Sequence, residues 1–336
     1  MSSDSVVPAP PARRPWWRRA APVAGLLLLS PFCAEYLVGY QGVLTNPVEL
    51  LVAVVFVLPI YGAPAVLIRD LTRRAGRGWP TLLLLATAAG LIQAGWVDQS
   101  LFNHRDFADG PLPTLLPWLD ADAGQLLTFV VGHVVWSFGA PVAVVESCVP
   151  DRAGRPWLGR WGTAVLAAVY LAGTVFFTYQ LVVLPGFHAR PGQLAAVGVA
   201  VAAAVGAAFA LPRRAARTSG SAPPPWCAGG VALVLLGAFV TLNDQWAWRG
   251  VAVAVAALTL LGALLAYWSR RPGWGRGHRL AVAGAALLLY AGLAFVVNPE
   301  NVPPSVLHTV RGAVLLGVVA LLYGAARRVA RARTAG

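Results

Sequence analysis

Ten stretches of about 20 apolar residues, joined by short connections that carry the charge, limit what this chain can become more than any other feature. They fall near residues 21–41, 49–68, 80–101, 124–147, 161–183, 193–211, 226–243, 250–267, 280–297 and 305–326. An α-helix rises 1.5 Å per residue, so each is about the length that crosses a ~30 Å hydrocarbon layer. In lipid the backbone must satisfy its own hydrogen bonds, and a helix does so within one segment. The expected fold is therefore all-α, a polytopic transmembrane bundle of about ten helices.

Composition agrees with this. Hydrophobic residues make up 58% of the 336 residues and charged residues 12%, against about 25% charged in an average soluble domain. The formal net charge of +13 could suit nucleic acid, but its placement points to a bilayer. All 26 basic residues are arginine, clustered between the apolar runs. With the N-terminus inside, the inner segments collect Arg13, Arg14, Arg18 and Arg19; Arg69, Arg73, Arg74 and Arg77; Arg152, Arg155 and Arg160; Arg213, Arg214 and Arg217; Arg270, Arg271, Arg276 and Arg279; and Arg327, Arg328, Arg331 and Arg333. Outer segments keep only Arg105, Arg190 and Arg249, while Arg311 falls inside a span. Cytoplasmic loops are enriched in arginine and lysine, so both termini are expected inside a cell membrane. Adding or removing one span would scramble the alternation.

Five regions follow: a basic, Pro-rich cytoplasmic tail (1–20), six helices (21–211), a flexible linker (212–225), four helices (226–326) and a basic tail (327–336). Trp16 and Trp17 among arginines read as an interfacial anchor. The outer loop 103–125 is acidic and aromatic and could act as a short lid. Cys33, Cys148 and Cys227 lack metal-ligand spacing, and neither a disulfide nor a cofactor is expected.

Function has to be sought in the polar residues that the spans tolerate, because such side chains are costly in lipid and usually face the protein interior. The candidates are Glu35, Gln93, Asp98, His133, His308 and Arg311. Glu35, Gln93, His133 and Arg311, from the first, third, fourth and tenth spans, lie roughly 9–14 Å below the outer surface at 1.5 Å per residue. Asp98, His308 and Asp244 lie closer to that surface. A structural reading pairs Glu35 with Arg311 and lets Gln93 and His133 bond across helices. A functional reading makes the layer a water-accessible pocket open to the outside. His133 and His308 are also candidates for a two-histidine metal site, a signal weak without a motif. His104, His188 and His278 read as solvated. Glu146, about 20 Å along the helix from His133, reads as an inner charge neutralised by Arg69, Arg152 or Arg155. Pro59, Gly62, Pro64 and Pro141 interrupt the second and fourth spans, as in transporters whose broken helices line a cavity.

"SPFCAEYLVGY", "GRGWPTLLLLATAAGLIQAGWVDQSLFN" and "GHVVWSFGAPVAVVESCVPDRAGRPWLG" resemble a family of uncharacterised multi-pass proteins of actinobacteria. The same region resembles the CAAX protease and bacteriocin-processing family of intramembrane proteases. Phe129-x-x-x-His133 fits one motif of that family. Gln93-Ala94 stands where the motif has two glutamates, and neither residue can activate water. The later His with Asn or Asp four residues on is missing, since Gly312 follows His308 and Gly192 follows His188. This resemblance implies a protease-like bundle without the protease's carboxylates. The leading expectation is thus an integral membrane protein whose outward polar layer binds a small ligand, a lipid or a membrane partner protein. A proton-coupled transporter using Glu35 or His133 is the main alternative. An active hydrolase, drawing its carboxylate from Glu35 or Asp98, is a third.

Overall fold

The computed structural model describes residues 16–39, 42–103, 112–212, 218–240, 246–297 and 303–334. The tail before Trp16 with Arg13 and Arg14, the part of the outer loop holding His104 and Arg105, the linker arginines at 213–217 and Asp244 lie outside these residues.

Among the described residues, ten helical rods stand where the ten apolar runs lie. In order, α1 is Trp16–Pro31, α2 Pro47–Val57, α3 Gly62–Arg74, α4 Trp79–Ile92, α5 Ala123–Gly132 and α6 Ala140–Cys148. They are followed by α7 Arg160–Thr178, α8 Pro191–Ala210, α9 Pro225–Val240, α10 Ala247–Ser269, α11 Arg276–Leu293 and α12 Pro304–Thr334. Four π-helical turns, Phe32–Tyr36, Gln93–Val97, His133–Gly139 and Tyr179–Val183, extend α1, α4 and α7 and join α5 to α6 in one rod. Among the described residues, six helices are long and apolar enough to cross a bilayer, and a seventh span results if α2 and α3, bent by 50° at their junction, count as one. The remaining rods fall short for local reasons: α9 has 16 residues, and α1 and α11 begin with arginines. The protein is an almost entirely helical multi-pass membrane protein.

Among the described residues, the strands form one small sheet. Within the outer loop, β1 (Leu115–Leu116) pairs antiparallel with β2 (Ala121–Asp122). Asp122 caps α5 by accepting from Gln125 N at 3.0 Å and also holds the Thr114 hydroxyl at 2.7 Å. Asp120 pairs with Arg190 at 2.6 Å, and the Gln193 amide donates to Leu119 O at 2.9 Å. Asp120 and Gln193 therefore fasten this segment to the start of α8, while Asp122 ties it to α5.

The α5–α6 rod is central. Its apolar window is 61% buried, against 17% for α12. One face packs on α1, α3 and α4 through Phe138 and Val142. The other meets α9, α11 and α12 around Trp136, whose indole donates to Ala286 O at 2.8 Å and stacks 3.9 Å from Tyr290.

The arginine clusters gather at one end of the bundle. Arg152 donates to Arg18 O (2.9 Å), Arg77 to Leu211 O (2.7 Å) and Arg328 to Cys148 O (3.1 Å), while Thr218 N donates to Arg270 O (3.2 Å). The guanidinium of Arg279 lies 5.9 Å from the Trp79 ring. Arg190 and Asp120 are at the opposite end. The alternation expected from charge is therefore met in space, and the positive-inside rule assigns the arginine-rich end to the cytoplasm.

Candidate functional site

Four of the six candidate residues come together, and an unforeseen fifth joins them. Each rod that contributes loses regular α geometry at that level. Glu35 sits in the π turn Phe32–Tyr36, Gln93 opens Gln93–Val97, and His133 opens His133–Gly139. Backbone bonds to the fifth residue mark these turns, as from Leu37 N to Phe32 O and from Asp98 N to Gln93 O, both 3.0 Å. Ala63 N makes the same kind of bond to Leu58 O at 3.0 Å where α2 breaks into α3. Such turns insert a residue, turn side chains off the regular spiral and recur at functional sites.

The α2–α3 break has a clear local cause. Pro64 cannot donate to the carbonyl four residues before it. A Cβ on Gly62 would come within 2.4 Å of Leu27 O, so only glycine lets the break lie against α1. There the Ser30 hydroxyl lies 3.0 Å from Tyr61 O and 2.5 Å from Ser137 O, the latter a carbonyl that Pro141 leaves without its usual partner. Tyr61 is thereby placed between two candidates: its hydroxyl donates to the Glu35 carboxylate, and its ring stacks on His133 with centroids 5.7 Å apart. No sequence signal singled out Tyr61, because a tyrosine beside two prolines and a glycine reads as part of a helix break.

His133 is 8% exposed. Its Nδ1 is 2.6 Å from Phe129 O, so it donates there and Nε2 is left as an acceptor. That Nε2 is buried with no hydrogen-bond partner among the described residues. A Cβ on Gly90 would lie 2.9 Å from the His133 Cβ; this close approach sets α4 against the central rod and brings Gln93, one turn on, to the histidine's side. The Gln93 amide nitrogen is 3.5 Å from Asp98 Oδ2, while its Oε1 is buried and has no described partner. Asp98 accepts from Ser100 N at 2.9 Å and lies within Coulombic range of His133.

Arg311 and His308 stand apart. Glu35 and Arg311 form no ion pair among the described residues. Arg311 is 1% exposed, lies beside Gly39 about a turn beyond Glu35 and donates to Val297 O, while its Nε and Nη1 have no described partner. The expected pairing fails because Glu35 is turned towards Tyr61. His308 is exposed, bonds Pro304 O on its own helix at 2.6 Å and packs edge-on to Phe295. Its neighbours are not those of His133, and no group of three or more metal-ligating side chains exists among the described residues. His278, expected to be solvated, is instead buried: it accepts from Gly275 N, donates to Pro223 O at 2.7 Å and stacks on Trp274.

At the arginine-rich end, Glu146 has the partner expected of it and more. Its carboxylate binds Arg69 Nε (3.0 Å) together with Arg73 Nε (2.9 Å) and Nη2 (2.8 Å). Arg69, 0% exposed, also reaches Asp70 (3.2 Å), Arg155 O (2.7 Å), Arg152 O (3.2 Å) and Ala153 O (2.8 Å). The Trp157 ring covers its guanidinium at 3.6 Å. Asp70 in turn accepts from Trp157 N (2.7 Å) and Leu158 N (3.1 Å). Five guanidinium hydrogens point to five acceptors, which staples the 149–159 loop to α3 and α6.

A family model described as an uncharacterized membrane protein family matches residues 26–222. The chain belongs to that family. No curated protein and no solved structure matches it. The region matched by the family model runs from α1 through α8, so it holds Glu35, Tyr61, Gln93, Asp98, His133 and the whole Arg69–Glu146 network. Arg311 and His308, which do not join the cluster, lie beyond it.

Proposed function

We propose that this family member is a membrane-embedded binding protein whose site is the cluster of Glu35, Tyr61, Gln93, Asp98 and His133, opening towards the side opposite the arginine-rich end. The supporting observation is a pair of buried acceptors, His133 Nε2 and Gln93 Oε1, without partners among the described residues. Two acceptors on adjacent helices suit a hydrogen-bond donor such as a hydroxyl or ammonium group of a small ligand or lipid, and Glu35 and Asp98 suit a cationic one. Protease chemistry is not part of this reading: the Phe129-x-x-x-His133 motif stands by Gln93, where that chemistry would need a carboxylate. Access is the property to test. In a chain with Cys33, Cys148 and Cys227 replaced, Gln93→Cys and His133→Cys should react with a membrane-impermeant maleimide added from the outer side. Protection of both thiols while a control cysteine in the outer loop reacts would sink the proposal.

Proton-coupled transport is a second reading, favoured by one feature. Glu35, Tyr61, His133 and Asp98 form a chain of titratable groups at the level where the second span bends by 50°. It requires proton movement in proteoliposomes that Glu35→Gln abolishes.

A further inference from the structure

A cleft of 780 Å³ between α1, α2, α6 and α12 lies away from the polar cluster. We infer that it seats one anionic phospholipid, with an acyl chain in the cleft and the phosphate on Arg18 and Arg328 at its mouth. Its wall on α1 is a stripe at helical spacing, Ala21, Gly25, Leu28 and Phe32. One turn further towards the N-terminus the same stripe reaches Arg18, which is exposed. On α12 the cleft is lined by Leu321 and, two turns on, by Arg328. The groove is thus apolar along its length and cationic at one end.

Its depth matches one leaflet. Ala21 to Phe32 spans eleven steps, about 16 Å at 1.5 Å per residue, or half of a ~30 Å hydrocarbon core. Among the described residues, neither Arg18 nor Arg328 forms an ion pair, and two nearby acids are held elsewhere. Glu146 is held by Arg69 and Arg73, and Asp70 by Arg69 and Arg74. Arg328 is exposed and gives one described hydrogen bond, to Cys148 O, while Arg152 fixes this end of α1 through the Arg18 and Arg19 carbonyls. Guanidinium groups bind phosphate oxygens bidentately, and basic pockets between helices on the cytoplasmic side suit anionic headgroups. The site is independent of the outer cluster and of any function proposed for it.

Native mass spectrometry of the full chain in detergent, with dioleoyl phosphatidylglycerol or dioleoyl phosphatidylcholine added, tests it. Phosphatidylglycerol should be retained on the order of tenfold more, since each arginine near an anionic headgroup contributes about fivefold. The double variant Arg18→Gln/Arg328→Gln should erase the preference, while Arg270→Gln/Arg276→Gln, exposed arginines off the cleft, should leave it intact. Gly25→Trp keeps both arginines and fills the cleft, because a Cβ there meets nothing within 4 Å; it should lower retention of phosphatidylglycerol. Equal retention of the two lipids, an equal loss in both double variants, or unchanged retention in a folded Gly25→Trp chain would each overturn the assignment.

Discussion

Arg69 and His133 are both polar residues buried among apolar helices, and they are finished differently. Arg69 places all five N–H groups on carboxylates or backbone carbonyls. His133 has one ring nitrogen bonded and the other without a described partner, and Gln93 beside it shares the condition. A buried polar group without a partner costs about 1–3 kcal/mol, so a fold that can complete one network loses stability by leaving another open. The closed network is a structural staple. The open one is where a ligand could gain the bonds that the chain withholds.

Five substitutions bear on that contrast, beginning with the largest effect. Arg69→Ala takes one partner each from Glu146 and Asp70 and leaves the Arg152, Ala153 and Arg155 carbonyls without this donor. It should cost about 3–5 kcal/mol, the range for breaking a buried ion pair, seen as a large fall in unfolding temperature in detergent or as loss of folded protein. Arg69→Lys should recover little, because a lysine cannot reproduce the planar fork that meets five acceptors. A mild Arg69→Ala phenotype would remove the distinction between the two ends. Asp70→Asn weakens the hold on Trp157 N and Leu158 N at a cost of about 1–2 kcal/mol, and limited proteolysis should then cut within 150–159 before the rest of the chain. Tyr61→Phe loses one hydrogen bond to Glu35, about 1 kcal/mol or less in stability, yet it should change outer-side labelling at His133→Cys because the bridge between α1 and the central rod is gone. Gln93→Leu should be the least costly. The substitution removes the partnerless Oε1 and only a long 3.5 Å bond to Asp98, so it should cost about 1 kcal/mol or less; a loss above about 2 kcal/mol would mean that the outer layer is structural after all.

The residues were legible in the sequence to different degrees. Glu146 with Arg69 was readable, since both fall where an inner charge needs a partner, although Arg73, Asp70 and the Trp157 lid were not. Shared depth put Glu35, Gln93 and His133 at one level, because rise per residue fixes height along a rod. The same argument put Arg311 at that level too, but height says nothing about azimuth, and Arg311 turns to Val297 O instead. His278 was misread for a related reason: a histidine at a span end looks solvated until the neighbouring Pro223 carbonyl and Trp274 ring close over it.

The sequence by itself determined the class of fold, the places of the rods and the gathering of the arginines at one end. Those follow from the length of apolar runs and the siting of charge, which are local and additive along the chain. Which face each polar residue presents was decided by tertiary structure alone. The spans are apolar almost all round, so they carry no amphipathic stripe to orient them. Orientation is set instead by π turns, by the break at Gly62 and by the approach of Gly90 to His133, each of which exists only once two helices are packed together.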